Sequence, residues 1–392
     1  MSAKRPRPVA SRLRGTPPTI FTQMSALALR TGAINLGQGF PDVDGPPSVI
    51  AAAEEALRTG RNQYAPGPGV PALRRAVAAH QIRHYGIELD PDSQVVITTG
   101  CTEGIAAAML GLVEPGDEVV VLEPYYDSYV ATIEMAGGVR RPVTLRAPDF
   151  RLDVDALRAA VSPRSRFVLL NSPHNPTGTV LTEDELRAVA DVAIEHDLVV
   201  ITDEVYEHLV FTGSTHVPIS TLPGMLERTL TLSSVGKSYS FTGWKVGWAT
   251  GPADLVGAVL AAKQWLTFTS GAPLQPAVAL ALDEEPDFPA QLAASLEQRR
   301  DLLCAGLAEA GLAPRVPQGT YFATTNVSHL GWADGMAFCR ALPERAGVVA
   351  IPTQGLHDDQ DAGRHLVRWA FCKEPDVISA ALRRLAGADL SA

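Results

Sequence analysis

Cysteine is scarce in this chain. Its 392 residues include only Cys101, Cys304, Cys339 and Cys372. They lie far apart with no C-x-x-C pair, which supports neither a zinc site nor a disulfide scaffold. Long apolar runs are missing as well: no stretch approaches the roughly 20 residues that cross a bilayer. Basic charge is in deficit, with 33 Lys and Arg against 43 Asp and Glu and a formal net charge of −10. That balance disfavours nucleic acid as a partner, since phosphate binding calls for a basic face. One short segment runs against the trend: Lys4, Arg5, Arg7, Arg12 and Arg14 stand together without an acid. No apolar h-region follows them, so they read as a frayed, solvated N-terminus rather than a secretory signal. With 46% hydrophobic and 19% charged residues, the remainder reads as a soluble globular protein of the cytoplasm. It is long enough to bury a large core and to divide into two structural units.

From residue 94 the pattern is strand, turn, helix, repeated. Val95 to Thr98, Glu118 to Leu122, Phe167 to Leu170, Leu198 to Thr202 and Thr229 to Leu232 read as strands. Helices are expected over 20–29, 48–58 with Ser48 as a cap, 71–85, 105–112 and 183–196, the last opened by a Thr182–Glu185 capping box. Short β-rich runs alternating with helices indicate an α/β fold with a mostly parallel sheet. After residue 285 a long helical stretch, 287–311, leads to Gly319-Thr320-Tyr321-Phe322 and a β-type run, His365 to Phe371. This texture suggests a smaller α+β unit. The expected division is an N-terminal arm with part of the small unit over 1–45, a large unit over 46–286 and the rest of the small unit over 287–392. No internal repeat or low-complexity block is present.

Chemistry gathers just after the strands. Ser233-Ser234-Val235-Gly236-Lys237 places one lysine among small residues, and Lys245 follows inside a tryptophan-glycine frame. An amine that attacks a carbonyl must first lose a proton, which a partly desolvated site favours. Small hydroxyl residues and a second cation suit a phosphate beside it. Taken alone, Ser-x-x-Lys is more often a surface turn. The other strand ends change that reading. They add Thr99-Gly100-Cys101-Thr102 at a helix start, Tyr126, Asn175 within Asn171 to Gly178, and Asp203-Glu204-Val205-Tyr206. A helix N-terminus favours an anion. Each residue alone has a plain structural explanation: a cap, an ion pair, a core aromatic. Together they supply an imine-forming lysine, an acid for a ring nitrogen and a dianion cradle, the set that pyridoxal 5′-phosphate needs.

These motifs, with Asn35-Leu36-Gly37-Gln38-Gly39-Phe40-Pro41-Asp42, Asn62-Gln63-Tyr64, Ser233 to Trp248 and Arg368, span nearly the whole chain. In them the chain resembles the fold-type I, class I/II aminotransferases. The similar branch holds kynurenine (glutamine transaminase K-like), methionine and actinobacterial N-succinyldiaminopimelate aminotransferases, the last being the nearest likeness. The resemblance implies that Lys237 forms the imine and later carries the substrate proton. By the same likeness Asp203 pairs with the ring nitrogen, Asn175 and Tyr206 bond the ring oxygen, and Tyr126 stacks on the ring. Cys101, Thr102, Ser234 and Lys245 would hold the phosphate, joined by Tyr64 from the neighbouring subunit of a homodimer. Arg368 would clamp the substrate carboxylate with Gly37 and Asn175, and Phe21 would cover the substrate side chain.

Three departures bear on specificity. Many relatives carry arginine in place of Lys245, kynurenine enzymes can use tryptophan in place of Phe21, and Trp265 to Gly271 lacks a histidine found in some of them. Small residues in that last segment are expected to leave a roomier, more polar pocket. The implied reaction moves an amino group from an L-amino acid, N-succinyldiaminopimelate among the candidates, to 2-oxoglutarate or pyruvate. Kynurenine, glutamine, methionine or a secondary-metabolite amino acid are alternative donors. A C–S β-lyase would use the same carbanion. An aminotransferase-like transcription regulator would need an added DNA-binding region, for which residues 1–34 are too short.

Overall fold

Runs of β-branched residues build the centre of this computed structural model, which describes Ala10, Arg12 and residues 19–392. Lys4, Arg5, Arg7 and Arg14, and the fraying expected of them, lie outside the described residues. The strands are β1 (Ile34–Asn35), β2 (Val95–Thr98), β3 (Glu118–Glu123), β4 (Val139–Thr144), β5 (Ser165–Asn171), β6 (Val199–Asp203) and β7 (Thr229–Ser234). Then follow β8 (Gly247–Thr250), β9 (Pro314–Arg315), β10 (Phe322–Asn326), β11 (Val348–Val349), β12 (Ile351–Pro352) and β13 (Leu366–Ala370). The helices are α1 (Ile20–Thr31), α2 (Pro47–Arg58), α3 (Pro71–Tyr85), α4 (Gly100–Leu112), α5 (Asp127–Ala136), α6 (Val154–Ala160) and α7 (Glu183–Glu195). The rest are α8 (Val235–Ser238), α9 (Ala253–Leu266), α10 (Leu274–Glu284), α11 (Phe288–Glu309), α12 (Gly335–Ala346) and α13 (Pro375–Ala386).

The main sheet has the order β2-β8-β7-β6-β5-β3-β4. Only β8 runs against its neighbours, pairing antiparallel with β2 and β7, so the expected mostly parallel α/β sheet is present. Strand alternation divides its side chains between two layers. Val119, Val121, Leu169 and Ile201 pack towards α4 and α9. Val120, Leu122, Val168, Leu170 and Val200 face α6 and α7. Strands buried on both faces are the expected consequence of helices covering both sides. Each such side chain contributes about 1.5–3 kcal/mol relative to exposure.

Helix ends mostly follow the sequence. The Thr182–Glu185 capping box forms, with Glu185 N–H donating to Thr182 Oγ1 at 3.2 Å and Thr182 N–H to Glu185 Oε2 at 2.8 Å. Ser48 does not cap α2. Pro46 occupies the cap without a side-chain bond, because Pro47 at the first position lets the helix begin early. The Ser48 hydroxyl donates instead to Glu285 beside α10.

A second, antiparallel sheet has the order β12-β13-β10-β9, with Thr324 opposite Arg368. A two-stranded parallel pair joins Ile34 and Asn35 to Val348 and Val349. The chain's beginning and its last third are thereby hydrogen-bonded to each other.

Candidate active site

The parallel strands of the main sheet end together, and the residues after them converge. Asn171 and Asp203 close β5 and β6 as register partners. The Asn171 amide binds them: its Nδ2 donates to the Asp203 carbonyl at 2.8 Å, and its Oδ1 accepts from Asn175 N–H at 2.8 Å. β7 ends at Ser234 and passes into the single turn of α8, which presents Lys237. On the far side, Gly100 starts α4 with φ +70, and an added Cβ would come within 3.0 Å of Lys245 Nζ. Only glycine combines that backbone with so close an approach. Lys245 itself adopts φ +54 to reach this helix start.

Cys101, Thr102, Tyr126, Asn175, Asp203, Tyr206, Ser234, Lys237 and Lys245 therefore line one cavity of about 170 Å³. Phe21, Tyr126, Asn175, Tyr206, Lys237 and Arg368 line a second that shares its wall. Arg368 arrives on β13 and is 2% exposed. It donates from Nη1 to Asn175 Oδ1 at 2.9 Å and from Nη2 to the Gly37 carbonyl at 2.8 Å. Its plane lies over the rings of Phe322, at 3.8 Å, and Phe21, at 4.8 Å. Among the described residues no carboxylate forms an ion pair with it, and its buried Nε lacks a partner. Burial, chiefly, pulls its pKa down to about 10.

Lys237 is a second, half-buried cation, with no ion pair to a carboxylate among the described residues. Its Nζ donates to the Tyr321 hydroxyl at 2.9 Å, and that hydroxyl donates to the Gly39 carbonyl at 2.5 Å. Burial, aided by Lys245 and Arg368 and opposed by Cys372 and Asp203, brings the amine down to about 8. A fraction is thus neutral near physiological pH, as a nucleophile or base requires. Asp203 is held from several sides. Tyr129 donates to its Oδ2 at 2.8 Å, Val205 N–H to its Oδ1 at 3.2 Å, and the Cys101 thiol also bonds it. Burial nevertheless raises its pKa.

Two expected residues stand apart. Tyr64 is 82% exposed and meets only the edge of Phe268, ring centroids 5.3 Å apart. Trp265 to Gly271 line neither of these two cavities. α9 ends at Leu266, leaving Trp265 83% exposed, and Thr267 turns to Glu103 and Thr99 at the start of α4. Residues not assigned a role from sequence also belong here: Tyr321, Phe322, Tyr129 and Asn171. The two glycines near residue 38 explain part of this. A Cβ on Gly39 would lie 2.5 Å from Phe322 Cζ, so the bare backbone is what lets the carbonyl reach Tyr321.

Residues 31–383 match the family model for aminotransferase class I and II. The chain belongs to this family. It is 54% identical over 386 residues to a probable N-succinyldiaminopimelate aminotransferase of Mycobacterium tuberculosis, covering 96% of this chain and 97% of that one. A solved structure of the N-succinyldiaminopimelate aminotransferase from that organism superposes with a TM-score of 0.94, covering 97% and 99% of the two chains. The methionine aminotransferase of Escherichia coli is 41% identical, covering 94% of this chain and 95% of that one. The kynurenine–oxoglutarate transaminase of Dictyostelium discoideum is 36% identical, covering 91% of each. The protein is accordingly an aminotransferase of the fold-type I architecture, and its substrates are amino acids and 2-oxo acids.

The family is generally dependent on pyridoxal phosphate, and the cavity fits that group. A helix start, Ser234 and Lys245, which has no ion pair among the described residues, make one anion-accepting end. A carboxylate stands at another point of the wall, with the Lys237 amine also lining the cavity.

Proposed function

We propose that this aminotransferase holds pyridoxal 5′-phosphate and takes N-succinyldiaminopimelate as its amino substrate, with 2-oxoglutarate or pyruvate as partner oxo acid. The donor reading is supported by 54% identity, spread over 96% of the chain, to a relative of that name. The reaction class rests on one observation above the others. A buried guanidinium with no anion among the described residues shares a cavity wall with a half-buried, partly neutral amine.

When bound, the cofactor supplies an electron sink for the carbanion formed at the substrate Cα. The protein's own groups do the rest. Lys237 Nζ would take the proton from the substrate Cα and deliver it to the carbon of the bound cofactor that shares the carbanion's charge, and Tyr321 holds that nitrogen in place when it is not so engaged. Asp203 keeps a ring nitrogen protonated, steadied by Tyr129 and by the Asn171 link between β5 and β6. Asn175, whose Oδ1 is occupied by Arg368, has its NH₂ left to donate to the ring oxygen beside Tyr206. Tyr126 covers the ring, and its hydroxyl is oriented by Thr102. Cys101, Thr102, Ser234 and Lys245 hold the phosphate. Arg368 turns its fork to the substrate α-carboxylate, with Gly37 and Asn175 fixing the plane and Phe21 closing the side-chain end.

We also infer a cytoplasmic homodimer in which Tyr64 completes the partner's phosphate site. Tyr64, Trp265 and Phe268 form an exposed apolar patch, which favours an interface, and four free, buried thiols suit a reducing compartment. The division at 46–286, with 1–45 joining 287–392, is supported by the β1–β11 pairing. A panel of single amino donors, mixed with loaded enzyme and no oxo acid, tests the substrate reading through loss of the cofactor's long-wavelength absorbance. N-succinyldiaminopimelate should react with the highest second-order rate. A clear preference for methionine or kynurenine would overturn the donor assignment, and elimination of a thiol from cystathionine without an oxo acid would favour the lyase reading.

A further inference from the structure

Four of the nine histidines gather on the α3 side of the turn that follows β6, away from both cavities. We propose that three of them, His80, His84 and His208, form a binding site for one zinc-class divalent cation, with the Glu207 carboxylate beside it. His80 and His84 stand four residues apart on α3, so their rings share a face. His208 follows Tyr206 by two residues. One ring nitrogen from each lies within 4.8 Å of the others, and His80 Nε2 is 2.7 Å from His208 Nε2. Ring centroids are 4.5 Å apart for His80 and His84, 4.9 Å for His80 and His208, and 4.7 Å for His84 and His208.

A tetrahedral zinc with bonds of about 2.0–2.1 Å sets its nitrogens roughly 3.3 Å apart. Small side-chain rotations, opening the short pair and closing the others, reach that geometry. The surroundings resemble the outer shell that orients metal ligands. Glu207 is 4% exposed, and its carboxylate lies 4.0 Å from His208 Nε2. Tyr85 fixes it by donating at 2.7 Å and Ser233 by donating at 2.6 Å. The Gln81 amide lies 3.5 Å from His80 Nδ1, placed to orient that ring. The nearby basic side chains have other partners. Arg83 is turned to the Leu282 carbonyl at 2.8 Å, and His216 is bound to Glu204 at 3.1 Å. Burial holds His80 and His208 neutral, at about 3 and about 4, against the opposing pull of Glu207. His84 is exposed and gives the ion a way in. Imidazoles with one carboxylate select zinc, copper, nickel or cobalt over magnesium or calcium. The absence of a cysteine motif leaves this site untouched, since no thiol is involved. A bound ion would tie α3 to the turn that carries Tyr206. The competing account is a neutral histidine pair sharing one hydrogen bond within an aromatic cluster.

Tag-free holoenzyme, stripped with a chelator and dialysed, is titrated with Zn²⁺ against a chromophoric chelator. One equivalent per chain should bind, Co²⁺ should give the visible spectrum of a tetrahedral site, and Mg²⁺ should not compete. His84→Gln, at an exposed position that spares the core, should weaken Zn²⁺ binding at least tenfold, and His208→Gln should do the same. Absence of saturable binding, or stoichiometric binding unchanged in both variants, would overturn the proposal and leave an adventitious ion only.

Discussion

Replacing Lys237 by Met in the cofactor-free protein isolates the cost of burying its amine. The native amine titrates at about 8 against an ordinary value of 10.5. A depression of about 2.5 units corresponds to roughly 3 kcal/mol of preference for the neutral form. The sign follows from proton counts. Between pH 8 and 10.5 the unfolded chain carries the lysine proton and the folded chain does not, so native stability rises with pH across that window. Below pH 8 the penalty is fully present; above 10.5 it is gone. Methionine has similar length and no charge, so the variant lacks this pH-dependent term altogether. The lost hydrogen bond to Tyr321 costs about 0.5–1.5 kcal/mol, and it shifts the variant's whole curve. Urea unfolding of both proteins at pH 7, 8.5 and 10, at one protein concentration, gives the comparison. Relative to the variant, the native chain should gain up to about 3 kcal/mol as pH rises. Parallel stability curves would refute the reasoning, since they would show an amine as well solvated in the fold as out of it.

Arg368→Lys keeps the charge but removes the planar fork that reaches Asn175 and Gly37. Losing one charge-assisted bond of about 1.5–3 kcal/mol should lower kcat/KM at least tenfold for two unlike donors alike in single-turnover kinetics; loss for only one would make Arg368 a side-chain specificity residue. Tyr321→Phe leaves the Gly39 carbonyl without its donor and Lys237 without its acceptor, so thermal unfolding should show a loss of about 1–3 kcal/mol in the cofactor-free protein. An unchanged melting curve would mean that water replaces both bonds.

The ends of β5, β6 and β7 are readable because these runs stop at Asn171, Asp203 and Ser234, and a parallel sheet aligns those stops. Asn171 and Asp203 became neighbours for that reason alone. Lys237 is readable only together with the other strand ends, since Ser-x-x-Lys by itself is more often a surface turn. Tyr321 and Phe322 are not readable from their run. Tyr321 stands just before β10 of the second sheet and Phe322 opens it, and an aromatic pair at a strand start looks the same whether it packs a core or faces a site. Tyr129 was hidden by Tyr125 and Tyr126, since nothing in the run says which ring sits one helical turn along and reaches Asp203. A glycine at position 39 permits a close approach, and the partner that approaches is the chain's own Phe322 and Tyr321. The Trp265 to Gly271 segment lines neither cavity, and nothing in its run of residues says which surface it forms. Its exposed tryptophan and phenylalanine fit a surface that meets another.

The charges of the site have an order that the fold alone would not favour. Among the described residues of this acidic chain, half-buried Lys237 and buried Arg368 form no ion pair with a carboxylate, and neither does Lys245 in the cavity it shares with Lys237. The fold carries no obligation to leave them so: 43 acids are available, and surface arginines such as Arg140 and Arg164 find theirs. A buried cation missing its anion destabilises the empty protein, as the depressed values of Lys237 and Arg368 record. That deficit is relieved only when anions arrive from outside, one at the α4 end beside Lys245 and one at the Arg368 fork. The one carboxylate inside the cavity, Asp203, is kept from both: Tyr129, Val205 and Cys101 hold it at the remaining side. An anionic ligand with a basic ring nitrogen satisfies two of these positions, Lys245 and Asp203, and a carboxylate substrate satisfies the third, Arg368. Ligand binding and folding are therefore coupled in the same direction, and each half-reaction returns the site to an anion-filled state.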